Sequence, residues 1–105
     1  MSRDTTPERE TLLTATVQVP QHVVFRRFPA ETVVLNLQTG KYHGLNPTAG
    51  RMLERLSETG SVREAAALTA EEYEQPREAT ERDLCDLCEA LMERGLIEVG
   101  EDDAG

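Results

Sequence analysis

The sequence has few of the residues on which secreted, metal-binding and membrane proteins depend. Its 105 residues include two cysteines, two histidines, no tryptophan and only 4% aromatic residues. Two cysteines cannot form a disulfide framework, so a reducing compartment, the cytoplasm, is expected. No apolar stretch is long enough to span a bilayer, and the polar first ten residues do not resemble a secretory signal. One small domain with a core of Leu, Val and Ala is expected.

Positive charge is scarce in the second half of the chain. Residues 1–63 contain eight Lys and Arg against six Asp and Glu, whereas residues 64–105 contain three against fourteen. The halves therefore carry +2 and −11, which together give the formal net charge of −9. An acidic surface repels phosphate backbones and anionic lipid heads and attracts basic peptides. This argues against nucleic acid and membranes as partners.

Both ends of the chain are typical of solvated tails. Charges and hydroxyls without periodicity predict a disordered amino-terminal tail over residues 1–14, and residues 100–105 form an acidic carboxy-terminal tail. Residues 15–99 between them are expected to form the domain.

Strand signals come first within that domain. Extended runs rich in branched side chains are expected at 16–19, at 23–28 and, most strongly, at 32–37. A turn at 38–40 leads into a shorter strand over 41–45. These short connections predict an antiparallel meander whose last strand, 41–45, lies at an edge of the sheet.

Three helices are predicted after the strands. Asn46 is a suitable N-cap for the first, which ends at Gly60, and Ser61 begins the second. Thr80 is expected to cap the third, which ends before Gly95. The apolar stripe of the third helix consists of Leu84, Leu87, Cys88 and Leu91. The pattern predicts an α+β fold similar to a winged helix-turn-helix, with an antiparallel three-stranded sheet followed by three helices.

Signatures of enzyme chemistry are missing. The sequence has no glycine-rich phosphate loop and no Gly-x-Ser-x-Gly element. Carboxylates surround Cys85 in the sequence and disfavour a reactive thiolate. A zinc site would need more ligands than Cys85 and Cys88, and His22 and His43 lie far away in sequence. We therefore expect no enzyme, no metal and no cofactor, and interpret the cysteines as small apolar packing residues.

The apolar face of the third helix is wider than packing on a core requires. Cys85 and Met92 extend it along one shoulder, which Glu81 and Glu89 border. One interpretation is a helix covered on two sides by the rest of the fold. The other is a groove between this helix and the edge strand, with an apolar floor and an acidic rim. Because an unpaired strand edge accepts a peptide as an additional strand, the second interpretation favours peptide capture.

The segment 40–49, Gly-Lys-Tyr-His-Gly-Leu-Asn-Pro-Thr-Ala, resembles the Gly-x-Tyr-x-x-Leu-Asn element of PqqD-like proteins, the RiPP precursor peptide recognition elements. Residues 61–66 and 83–97 resemble later parts of the same pattern, so the similarity runs over about 23–99. With Val-Val-Leu-Asn-Leu at 33–37, the chain is most similar to the stand-alone members in lasso-peptide clusters.

The resemblance implies a non-catalytic adaptor that binds the leader of a ribosomally synthesised lasso precursor peptide. It further implies delivery to a leader peptidase, a transglutaminase-like cysteine protease, with a lasso cyclase as a further partner. In the family the leader adds as an antiparallel strand, here to 41–45, and packs against the third helix, here 81–92. The residues that the resemblance places at the leader are Val34, Leu35, Lys41, Tyr42, His43, Gly44, Leu45, Asp83, Leu84, Cys85, Leu87, Cys88, Glu89 and Met92.

Two other functions stay open at this point. One is a PqqD-like chaperone that serves a radical SAM enzyme of another peptide pathway. The other is a DNA-binding winged helix. The DNA-binding alternative is disfavoured because the third helix has only Arg82 and Arg94 among six carboxylates from Glu78 to Glu93.

Overall fold

The computed structural model describes residues 9–100, which contain four helices and five strands. The helices are α1 (Arg9–Thr14), α2 (Pro47–Thr59), α3 (Val62–Tyr73) and α4 (Arg77–Glu93). The strands are β1 (Thr16–Gln18), β2 (Val23–Arg27), β3 (Thr32–Asn36), β4 (Tyr42–Leu45) and β5 (Glu98–Gly100). The α+β class with an antiparallel sheet is confirmed, whereas the winged-helix arrangement stays a prediction. No helix within the described range is long and apolar enough to cross a membrane.

The strands form two separate sheets. Strands β2, β3 and β4 form an antiparallel meander in that order. Strand β1 instead pairs with β5 at the far end of the chain, with Val17 opposite Val99. Gly100, which the sequence assigned to the acidic tail, is therefore the last residue of a strand. A pairing across more than 80 residues has no local signal, so neighbouring residues could not predict it.

The β3–β4 turn sets the register of the edge strand. The backbone N–H of Asn36 donates to the Lys41 carbonyl at 2.9 Å, and the N–H of Gly40 donates to the Asn36 carbonyl at 2.8 Å. Gly40 has a φ of 77°, a left-handed conformation that glycine adopts without steric cost. The side-chain oxygen of Asn36 also accepts from the Gln38 N–H at 2.9 Å. The turn therefore holds β4 in one alignment against β3.

The two faces of the meander have different surroundings. Thr32, Val34 and Asn36 of β3 are buried on the face that the helices cover, whereas Val33 and Leu35 are only half-buried. Alternate side chains of a strand point to opposite faces. We call the face that carries Val33 and Leu35 the outer face.

The caps of α2 and α3 are the predicted ones. The Asn46 side chain accepts a hydrogen bond from the Ala49 N–H at 2.8 Å, and Gly60 ends α2 with a φ of 68°. Ser61 accepts from the Glu64 N–H at 3.1 Å at the start of α3. These contacts join residues three apart in the sequence, which is why the sequence alone indicates them.

The predicted cap of the last helix is wrong. Helix α4 begins at Arg77, and Pro76 takes the N-cap position without a side-chain hydrogen bond. Thr80 is buried inside the helix, where its hydroxyl donates to the Pro76 carbonyl at 3.1 Å. A threonine hydroxyl that binds the carbonyl four residues earlier is compatible with a helix interior, so Thr80 does not mark the start.

Helix α1 corrects part of the predicted amino-terminal tail. Residues Arg9–Thr14 are helical, and Leu12 is 0% exposed in the core. The helix packs against α3 and α4. Six residues are too few to show a clear helical period among polar neighbours, so the pattern did not reveal them. The rest of the predicted tails, residues 1–8 and 101–105, lies outside the described residues.

Charged side chains connect α2 to the meander and to α3. Glu54 accepts hydrogen bonds from Arg51 and, at 2.6 Å, from Arg27 of β2. Glu72 of α3 accepts from Arg51 at 2.8 Å and from Arg55 at 3.1 Å. The hydrogen bonds from Arg51 lower the pKa of both carboxyl groups below the ordinary value. Because these side chains are partly exposed, each pair contributes only about 0–1 kcal/mol, and the network mainly orients α2.

Candidate functional site

Strand β4 is an edge of the three-stranded sheet. It pairs with β3 on one side, and no strand between residues 9 and 100 pairs with its other side. The isolated bridge found in this range joins Thr16 and Ser61, away from β4. The predicted edge strand is therefore confirmed, and it is open within the described part of the chain.

The hydrogen-bond pattern between β3 and β4 determines which backbone groups of β4 point to the open edge. The carbonyl of Lys41 already accepts a bond from β3, and hydrogen-bonded pairs alternate in an antiparallel ladder. His43 and Leu45 are therefore the residues that exchange backbone bonds with β3. The N–H and C=O groups of Tyr42 and Gly44 point away from β3. Two residues thus present four backbone groups to an additional strand.

A cleft of about 270 Å³ lies between the end of β4, the start of α2 and the middle of α4. Its lining residues are Asn46, Thr48, Ala49, Met52, Asp83, Asp86 and Leu87. Asn46 directly follows β4, so the cleft begins where the edge strand ends. Met52 and Leu87 provide apolar surface, and Asp83 and Asp86 place carboxylates on the α4 side. The cleft therefore combines apolar and acidic side chains, and the predicted groove between α4 and the edge strand itself stays a prediction.

The predicted α4 residues lie on different faces of the helix. Asp83 and Leu87, one turn apart, line the cleft. Leu84 and Cys88 are 0% exposed and belong to the core. They lie beneath the surface and cannot contact a peptide in this conformation. Glu89 is half-buried and does not line the cleft.

The apolar shoulder of α4 faces α1 instead of the cleft. Cys85 is 2% exposed and lines a small cavity of about 240 Å³ together with Leu13 of α1. Met92, two helical turns further along the same shoulder, is half-buried and packs against the core. Neither Cys85 nor Met92 therefore lines the cleft between α2 and α4. The first interpretation, a helix covered on two sides, explains this shoulder.

The two β3 residues predicted at the site do not line the cleft either. Val34 is 0% exposed in the core. Leu35 lies on the outer face, opposite Tyr42 of β4 and on the side of the sheet away from the helices. Successive side chains of a strand point to opposite faces of the sheet, so only one of Val34 and Leu35 can face the helices.

The predicted residues of the edge strand differ in their exposure. Tyr42 is 72% exposed, and Lys41 and Gly44 are exposed as well. His43 is half-buried and shares the helical side with Leu45, which is buried. Asn46, which directly follows this strand, lines the same cleft as Asp83 and Leu87 of α4.

Several cleft residues were missed by the sequence analysis. They are Asn46, Thr48, Ala49, Met52 and Asp86. Ala49 and Met52 are three residues apart on one face of α2, a spacing that also suits ordinary core packing. Asp86 is exposed, and its place in the sequence is equally compatible with a solvated helix face. Only the position of α2 against α4 distinguishes these possibilities.

The cysteine pair does not present a reactive site. Both cysteines are reduced and buried. Burial, together with Cys85 and Glu89 nearby, raises the pKa of the Cys88 thiol to about 12. No group of three or more His, Cys, Asp or Glu side chains among the described residues is arranged to hold a metal ion.

We expect the Cys88 thiol to react extremely slowly in the folded protein. A pKa of about 12 leaves a thiolate fraction of ~10⁻⁵ at pH 7, and the side chain is also shielded by the core. Ellman's reagent should label Cys88 in a Cys85→Ala variant only after a denaturant is added. Rapid labelling of that variant under native conditions, with an unchanged circular dichroism spectrum, would contradict the buried placement.

The chain is similar to one family and to two solved structures. Residues 31–97 match the model of the family described as coenzyme PQQ synthesis protein D (PqqD). TbiB1 in complex with the TbiA(beta) leader peptide is 34% identical, with a TM-score of 0.70 over 77% of this chain and 94% of that one. Lasso peptide synthetase B1 complexed with its leader peptide is 28% identical, with a TM-score of 0.70 over 80% of this chain and 99% of that one. No curated protein matches the chain.

Proposed function

Because this chain belongs to the PqqD family, we propose that it is a non-catalytic adaptor that binds the leader of a lasso precursor peptide and delivers it to a leader peptidase. Both similar solved structures hold a leader peptide. The observation that carries the proposal is the open edge of β4 beside the cleft between α2 and α4. Chemistry on the peptide is assigned to the separate peptidase and to a lasso cyclase.

The leader binds as a fourth, antiparallel strand next to β4. The backbone groups of Tyr42 and Gly44 that point to the open edge then gain hydrogen-bond partners. Strand addition of this kind satisfies an exposed edge and lets alternate side chains of the peptide enter a neighbouring groove. On the helical side of the sheet, that groove is the cleft lined by Met52 and Leu87.

Apolar contact and strand pairing provide most of the affinity in this arrangement. A cleft of about 270 Å³ has the volume of roughly nine water molecules, enough for one or two apolar side chains. Burying one side chain of the size of leucine contributes about 1.5–3 kcal/mol. An exposed pair between a basic leader residue and Asp83 contributes only about 0.2–1 kcal/mol. The acidic rim therefore serves mainly to attract and orient a basic leader.

The test is a titration of this protein with a labelled synthetic leader, taken from a lasso precursor encoded in the same genome. Fluorescence anisotropy should show saturable binding with a Kd in the micromolar range or below. Leu87→Asp should weaken it at least tenfold, because the substitution places a charge in the apolar floor of the cleft.

Leu37→Asp is the matched control. Leu37 is 57% exposed at the β3–β4 turn, at the opposite end of β4 from the cleft, so leader affinity should change less than twofold. Circular dichroism must show that both variants are folded. If the wild-type protein shows no saturable binding even at high concentration, the adaptor function is refuted.

The family match itself favours a second function. The matching family is described as a coenzyme PQQ synthesis protein. This description is compatible with a chaperone that holds a peptide for a radical SAM enzyme of another pathway. The two functions use the same edge and differ in the peptide that is bound. Titration with leaders from both kinds of pathway separates them, and tighter binding of the lasso leader supports the main proposal.

A further inference from the structure

The outer face of the meander is apolar, and no helix between residues 9 and 100 covers it. Phe28 and Val24 are 49% and 46% exposed, and Tyr42 continues the face on β4. A depression of about 430 Å³ occupies this face, and its lining residues are Val24, Phe25, Arg26, Phe28, Val33 and Leu35. Within residues 9–100 the helices pack on the opposite face of the sheet. Exposed apolar residues that lie together on one face of a sheet are a candidate protein interaction site.

The size of the outer face argues against a permanent dimer of this chain. Three strands about 4.8 Å apart and five residues long cover roughly 14 by 17 Å, or about 240 Å². Each side of a standard stable protein interface buries about 800 Å². A second copy that docked face to face would therefore bury too little surface to stay associated, so the face suits a transient partner.

The charge on the outer face adds a requirement on that partner. Arg26 lies on this face and has no ion-pair partner within the part of the chain that the structure describes. Its neighbour Arg27 points to the helical side and is paired with Glu54 at 2.6 Å. A partner that covers the outer face needs a carboxylate opposite Arg26, because a buried, unpaired guanidinium is costly.

The outer face is continuous with the open edge of β4. Tyr42 belongs to both, since its side chain lies on the outer face and its backbone groups point to the edge. A peptide that adds to β4 extends the outer face from three strands to four, about 80 Å² of further surface. A protein seated on the outer face is therefore in reach of the bound peptide.

We propose that the outer face, centred on Val24, Phe28 and Leu35, is the docking surface for the enzyme that processes the bound peptide. That enzyme presents an apolar surface with a carboxylate opposite Arg26, and it binds the peptide-loaded protein more tightly than the empty one. The inference rests on the proposed function, because the bound leader supplies the fourth strand of the surface. By linkage, the enzyme also tightens leader binding by the same factor.

The test measures the two binding events separately. The probes are the synthetic leader and the purified leader peptidase encoded with the precursor peptide. Phe28→Ser and Val24→Ser should each leave leader affinity within twofold of the wild type, because β2 lies two strands, about 10 Å, from β4. Each should weaken peptidase binding at least tenfold. The wild-type protein should bind the peptidase at least fivefold more tightly when the leader is saturating.

Arg63→Ser is the control, since Arg63 is an exposed residue at the start of α3 that lines neither the cleft nor the outer face. It should change neither affinity. If the leader binds normally and neither Phe28→Ser nor Val24→Ser changes the peptidase affinity, the docking surface is refuted and the proposed function is not. Sedimentation velocity provides a second check. If the wild-type protein is a dimer and Phe28→Ser is a monomer, the outer face is a contact between copies and the docking surface is refuted. If the wild-type protein does not bind the leader, the proposed function itself is refuted.

Discussion

A leader peptide that is N-methylated at the two residues facing Tyr42 and Gly44 should bind at least about 30-fold more weakly than the unmodified peptide. In the proposed complex, each methyl group removes one N–H that would donate to the edge of β4. A hydrogen bond of this kind contributes about 0.5–1.5 kcal/mol, so two of them account for the expected change, and the methyl groups also hold the strands apart. Fluorescence anisotropy with the wild-type protein measures the effect without altering the fold.

The control is a peptide of the same sequence that is methylated at the two adjacent positions. In a strand, successive N–H groups point to opposite edges, so these methyl groups face solvent and binding should fall less than about threefold. The two peptides have equal numbers of methyl groups and similar restriction of their backbones. Equal losses for both peptides would contradict strand addition, even if the leader does bind.

Gly50→Ala should lower the free energy of unfolding by about 1–3 kcal/mol, although alanine is the better helix former. An ideal Cβ at Gly50 would lie 2.5 Å from the Thr32 Cβ and would overlap the Thr32 hydroxyl. A new rotamer moves the Thr32 hydroxyl but not its Cβ, so α2 must shift away from β3. Urea denaturation of both proteins measures the difference.

Gly44→Ala is the matched control for stability. A Cβ at Gly44 would meet only the Glu31 carboxylate oxygen, at 2.7 Å, and that side chain can move. Its unfolding free energy should stay within about 0.5 kcal/mol of the wild type. Equal stability of Gly50→Ala and the wild type would show that α2 does not depend on close contact with β3. A shift of α2 also displaces Ala49 and Met52, so leader binding should weaken in Gly50→Ala.

Features that depend on neighbouring residues could be predicted from the sequence. Asn46 and Ser61 cap their helices through contacts three residues away, and Gly40 has the φ that the β3–β4 turn requires. Such interactions involve one turn of chain, so the residue types reveal them. The edge position of β4 followed from the same local connections.

Features that depend on residues distant in the sequence could not be predicted in this way. The helical period of α4 predicted an apolar face that is wider than packing against one neighbouring element requires. It did not predict which element of the fold covers each part of that face. Helix α1 covers the side of Cys85 although it lies more than 70 residues away in sequence, and its few apolar residues gave no clear period. The pairing of β1 with β5 is distant in the same way.

The sequence by itself determined the edge strand, the caps of α2 and α3, and the acidic character of the helical half. Only the tertiary structure decided that Leu87 and Asp83, and not Cys85 and Met92, face the cleft beside β4. A helical pattern states which residues share a face, because that depends on 3.6 residues per turn. Which face stays open depends on where α1 and α2 pack, and no single segment contains that information.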